Sequence, residues 1–256
     1  LPDSFESEGY DRSHMRLPEC QNRLIAEILK VQPNAVIVLH NGSPVEMPWL
    51  SDVKGLLEAY LGGQAGGAAV ANILYGKVNP SGKLAETMPL KLADNPSYLN
   101  FGGGEKVEYR EGVFVGYRYY DTKEMEVAFP FGYGLSYTSF AYDNLRISSV
   151  NPTEKDTVTV SVDITNTGNV AGKEIVQLYV GDDKCSVLRP VKELKHFAKV
   201  GLAPGEEKSV TFTLTPDDLK FYDEASAAWK YEPGKFKAYV CASSADVRGV
   251  VSFEMQ

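Results

Sequence analysis

The stretch "DTVTVSVDITNTG", residues 156–168, alternates Val158, Val160, Val162 and Ile164 with Thr, Ser and Asp. A period of two with β-branched residues on one face is the pattern of a strand with one side on a core. The same pattern continues through "KEIVQLYVGD", "VKELKHFAKVGLAPGEEKSVTFTLTP", "GKFKAYVCASS" and "RGVVSFEM", with turn residues between the runs. Around seven short strands and no long helix predict an antiparallel β-sandwich of immunoglobulin type over residues 141–256. Within it, "LAPGEEKSVTFTL" reads as a hairpin corner.

Upstream the period changes. "ECQNRLIAEILKVQP" places Leu24, Ile25, Ile28 and Leu29 on one helical face, and Pro33 stops the helix. "NAVIVLHNG" is a continuous apolar run closed by Asn-Gly, the pattern of a strand buried on both sides. "VKGLLEAYLGG" and "QAGGAAVANILYG" repeat the unit, with Gly76 as a C′ glycine. Strands alternating with helices predict a partial parallel α/β sandwich over residues 1–140. Between residue 79 and about 137 the periodicity fades into Gly-, Pro- and aromatic-rich segments, read as long ordered loops. The chain opens without an initiator methionine, signal peptide or preceding element. It is expected to be a piece or processed product of a larger polypeptide that completes the sheet.

Composition narrows the function classes. A net charge of −8 without a basic block argues against nucleic acid and anionic membranes as partners. No apolar run approaches the roughly 20 residues that span a bilayer. Cys20, Cys185 and Cys241 form no CxxC and read as reduced thiols, which points to the cytoplasm and leaves secretion open.

Nucleotide motifs fail on spacing. "GKVNPSGKL" puts five residues between its glycines, with Leu84 where a magnesium-binding hydroxyl belongs, and "GGQAGG" lacks the dinucleotide register. His14, His40 and His196 share no ligand spacing, so no metal and no cofactor is expected. His40 reads first as a hydrogen-bonded strand-end residue, and Trp49 and Trp229 as packing residues. What remains is "FESEGYDR", residues 5–12. A carboxylic acid beside an aromatic wall such as Phe5 or Tyr10 can act as a general acid, Gly9 would let backbone approach a ligand, and Asp11 and Arg12 could pair in support. By residue type alone the segment reads first as a solvated acidic loop.

The run "ESEGYDR", then "VLHNGSPVEMPW", "LGGQAGGAAVANILYGKVNPSGKLAETMP", "EGVFVGYRYYD" and "FPFGYGLSYTSF" resembles the C-terminal part of glycoside hydrolase family 3 over nearly the whole chain. The resemblance implies an α/β sandwich followed by a fibronectin type III-like domain, with a barrel domain preceding both. It implies retaining exo-hydrolysis of terminal non-reducing β-D-glucosyl residues, with an Asp nucleophile on the barrel and the general acid/base on this chain. An "EGYDR"-like motif puts that acid/base at Glu8, with Glu6 as the alternative and Asp11 and Arg12 as support. The implied partners are a β-glucoside or oligosaccharide and the N-terminal barrel, and a homo-oligomer is left open. The chain by itself is expected to be inactive. A β-xyloside or other glycoside, or a non-catalytic carbohydrate-binding or scaffolding module, are the competing readings.

Overall fold

The computed structural model describes residues 1–102 and 104–256. They form two compact units. The first comprises Leu1–Val78, Met88–Arg110 and Glu126–Phe129; the second comprises Asn79–Thr87, Glu111–Met125 and Pro130–Gln256. Among the described residues no helix is long and apolar enough to cross a membrane.

In the first unit, helix α1 (Glu19–Val31) starts after Pro18, carries Glu19 in its first turn and Lys30 in its last, and ends before Pro33. Those charges complement the helix dipole, and proline cannot continue the helix. Strands β1 (Val36–Leu39) and β2 (Gly55–Glu58) pair in parallel, from Val36 opposite Gly55 to Leu39 opposite Glu58. The intervening segment buries Val45, Met47 and Trp49, and the Trp49 indole donates to Asn22 Oδ1 of α1 at 3.0 Å. Trp49 is thus a packing residue. Helix α2 (Gly66–Leu74) ends as expected, with Gly76 in the left-handed region and its N–H on the Ile73 carbonyl.

Burial in this unit is thinner than the pattern predicts. Of the apolar face of α1 only Ile25 is buried, while Leu24 and Ile28 are exposed. Of β1 only Leu39 is buried, and Val36 is 54% exposed. Within the described residues β1 has one neighbour, and a two-stranded sheet is too narrow to cover both faces of a strand.

The second unit is the sandwich. One sheet runs β11 (Val247–Met255), β10 (Gly234–Cys241), β5 (Gly172–Asp182), β6 (Glu193–Leu202); the other runs β3 (Phe140–Ile147), β4 (Val158–Asn166), β7 (Glu207–Leu214). Val158, Val160, Val162 and Ile164 are all buried, facing Val176, Leu178 and Val180 of β5 and Phe236 and Val240 of β10 in one core. Residues 203–206 are a corner between sheets, because β6 and β7 lie in different ones. All three cysteines are free, and burial pushes the Cys241 thiol up to about 12.

Three upstream segments pack on this sandwich. Helix α3 (Tyr117–Thr122) stacks Tyr117 on Phe131 and sets it edge-on to Tyr179, and the Tyr117 hydroxyl accepts from the Leu194 N–H. Asp121 pairs with Lys192 at 2.7 Å, and Lys83 pairs with the buried Glu174 at 3.0 Å. Gln177 is buried, its amide donating to the Gly132 and Ala242 carbonyls and accepting from the Tyr179 hydroxyl. The loop segments 79–87, 111–125 and 130–137 are therefore ordered with the sandwich.

Candidate active site

Residues 5–12 fold as a tight turn tied down at its base. Ser7 and Tyr10 form an antiparallel bridge, which leaves Glu8 and Gly9 at the tip, and the Gly9 N–H donates to Ser7 Oγ at 3.1 Å. At the base, Glu6 Oε2 accepts from the Gly42 N–H at 2.8 Å, and Oε1 accepts from the Ser43 hydroxyl at 2.8 Å. The Arg12 guanidinium lies 3.7 Å from Glu6 Oε1 and donates to Ser43 Oγ at 2.7 Å and the Pro44 carbonyl at 3.3 Å.

The anchor is the turn that follows β1. Asn41, 1% exposed, donates to the Ser43 carbonyl at 2.9 Å and to Glu58 Oε2 at 3.3 Å. Glu58 ends β2 and accepts the Tyr60 N–H at 2.9 Å on its other oxygen. The whole network sits at the carboxyl ends of two parallel strands, the position at which open α/β sheets bind ligands.

Electrostatics separate the carboxylates. Burial alone would raise Glu6, but the Gly42 N–H, the Ser43 hydroxyl and the Arg12 charge outweigh it and hold its pKa below the ordinary value. Glu6 is therefore an ionised tether and a poor proton donor near neutrality. Glu58 goes the other way, raised by burial against the opposing Tyr60 and Asn41 hydrogen bonds. Glu8 is exposed and has no hydrogen bond or ion pair among the described residues.

The supporting residues divide. Arg12 turns to Glu6 and the 43–44 backbone, whereas Asp11 is exposed and makes no ion pair with Arg12. Phe5 packs edge-on to His14, and the Tyr10 hydroxyl donates to the Asp3 carbonyl. His40 is exposed with Nδ1 3.3 Å from the Tyr60 carbonyl, a strand-end contact. The three histidines are not brought together, and among the described residues no group of His, Cys, Asp and Glu is placed to hold a metal. Sequence reading missed the roles of Asn41 and Glu58; the available signal was a polar side chain at or just past the end of each apolar strand.

Gly9 gives a clean probe of this turn. Its φ is not in the left-handed region, and an added Cβ would meet only Ser7 Oγ at 3.6 Å. Gly9→Ala is expected to change thermal stability by less than about 0.5 kcal/mol. A larger loss of melting temperature would show a backbone demand absent from this geometry. An activity loss without it reports close approach at the tip.

Two family models match the chain: the glycosyl hydrolase family 3 C-terminal domain over residues 2–137, and a fibronectin type III-like domain over residues 174–244. A thermostable β-glucosidase B of Acetivibrio thermocellus is 58% identical over 248 residues, which is 96% of this chain and 33% of that protein. The crystal structure of a Kluyveromyces marxianus β-glucosidase in complex with glucose superposes with a TM-score of 0.94 at 44% identity, covering 100% of this chain and 31% of that one. A Bifidobacterium adolescentis family 3 β-glucosidase structure gives 0.95 at 43% identity, covering 100% and 38%. The chain spans about a third of the length of the curated relatives it matches.

Proposed function

We propose that this chain, which belongs to glycosyl hydrolase family 3, carries the general acid/base of a retaining exo-β-glucosidase, and that Glu8 is that residue. The carrying observation is the contrast between two glutamates two residues apart. Glu6 is held ionised by three donors, while Glu8 stands free at the tip of the turn that Glu6 anchors. The β-glucosidase names of the relatives support the substrate class, terminal non-reducing β-D-glucosyl residues.

In the first step Glu8 gives its proton to the glycosidic oxygen as the C1–O bond breaks and an aspartate from outside these residues attacks C1. In the second, the Glu8 carboxylate takes a proton from water, which displaces the aspartate ester with net retention. Retention asks for two carboxyl groups about 5–5.5 Å apart, and a tip position lets one of them project towards a partner domain. Arg12 supports by fixing the base of the turn, and Asp11 by its place beside it. We place the boundary between the two sequence domains near residue 140, where the family model has ended at 137 and β3 begins at Phe140, with the upstream segments 79–87, 111–125 and 130–139 folded into the sandwich unit.

Azide rescue tests the assignment. In the complete enzyme, Glu8→Ala with an activated aryl β-glucoside accumulates the glycosyl-enzyme ester, and azide, which needs no general base, attacks it. The expected product is β-glucosyl azide, formed with a rate increase of at least about tenfold. Rescue of Glu6→Ala instead, or of neither variant, would remove Glu8 from the role.

A further inference from the structure

We propose that the outer face of the β8–β9 hairpin is a stacking site for a β-linked glucan chain. Strands β8 (Phe221–Asp223) and β9 (Ala228–Lys230) form a small antiparallel sheet of their own. Alternation sends Phe221 inward, 7% exposed, beneath the Arg189 guanidinium at 5.8 Å. It sends Tyr222 and its cross-strand partner Trp229 outward, 51% and 67% exposed. Trp229 is thus no packing residue of the sandwich, contrary to the expectation from its type. Phe221 already anchors the hairpin, and the turn is closed by the Ser226 N–H and hydroxyl on Asp223, itself paired with Lys230 at 2.7 Å. The two rings meet edge to face, 5.7 Å apart at 74°, and both stay largely exposed among the described residues.

The size and chemistry of this exposed aromatic pair select the occupant. At 150–250 Å² of surface per ring, the two expose on the order of 250 Å² together. That matches a sugar unit or two and falls far below the roughly 800 Å² per partner of a stable protein interface. A β-D-glucopyranose ring holds its hydroxyls equatorial and presents flat C–H faces, which pack on an indole while the hydroxyls stay at the rim. Exposed Glu224, two residues after Tyr222, supplies a hydrogen-bonding group at the end of β8, whereas Lys230 pairs with Asp223 on the other face. The choice of β-glucan over other glycans rests on the proposed β-glucosidase reading; the stacking geometry does not.

Affinity electrophoresis of the complete protein through gels containing soluble mixed-linkage β-glucan tests this, with dextran as the α-linked control. Retardation by β-glucan and not by dextran is expected. Trp229→Ala and Tyr222→Ala should each weaken it about tenfold and the double variant abolish it, Trp229→Tyr should retain part of it, and melting temperature should be unchanged. Activity on a small aryl β-glucoside should stay within about twofold of the parent. Equal retardation of parent and double variant, or none of the parent, overturns the proposal. So does equal retardation by dextran, or a double variant whose only change is a smaller oligomer by light scattering. Glu8→Gln should leave retardation intact, so failure of the catalytic assignment would be seen separately, in kinetics alone.

Discussion

Glu8→Gln in the complete enzyme is expected to lower kcat/KM about 10³-fold for cellobiose and alkyl β-glucosides, whose leaving groups need a proton. For 2,4-dinitrophenyl β-glucoside, whose leaving group departs as an anion, the first step should fall by less than about tenfold. A series of aryl glucosides therefore gains a steep dependence on leaving-group pKa. Glu6→Gln should behave otherwise. It weakens acceptors for the Gly42 N–H, the Ser43 hydroxyl and Arg12, so its loss should be similar across the series, the mark of a positioning residue. A flat dependence in Glu8→Gln, or a steep one in Glu6→Gln, would reverse the two roles.

The second large effect is on stability. Gly132 has φ +78°, and a Cβ there would stand 2.2 Å from Gln177 Oε1 and 2.8 Å from its Nε2. Gln177 cannot swing aside cheaply, because it is buried and bound to the Gly132 and Ala242 carbonyls and the Tyr179 hydroxyl. Left-handed strain of about 1–2 kcal/mol and overpacking of about 1–3 combine, so Gly132→Ala should cost about 3 kcal/mol. For a protein of this size that is a fall of about 6–12 °C in melting temperature. Gly76→Ala is the control: it has φ +70° but open space around the added Cβ, and should lose only the strain. Equal losses in the two variants would show that Gln177 yields.

The sandwich was legible because alternation and burial are one statement in a strand with a core on one side. Val158, Val160, Val162 and Ile164 declared their face, and all four are buried. The apolar positions of α1 and β1 declared a face too, but periodicity says nothing of what covers it, and Leu24, Ile28 and Val36 are exposed. Residue type failed for Trp229, since an indole on a short hairpin points wherever the register sends it. At the site, Glu6 and Glu8 are the same chemistry two positions apart. What distinguishes them lies 36 and 37 residues away, at Gly42 and Ser43. Arg12 pairs with Glu6 inside its own segment, but its hydrogen bonds go outside it, to Ser43 and Pro44, which no local reading could supply.

The segments that pack on the sandwich bear on how such proteins can be recombined. The chain passes between its two units five times, at 78/79, 87/88, 110/111, 125/126 and 129/130. A gene fusion that transplanted only residues from Phe140 onward would carry the strands but leave behind Asp121, the carboxylate that Lys192 pairs with. It would also strip Tyr117, with Phe131 stacked on it, from the ring of Tyr179. Unlike a bead on a string, this fibronectin type III-like domain cannot be cut out cleanly: no single crossover in the chain separates the two units.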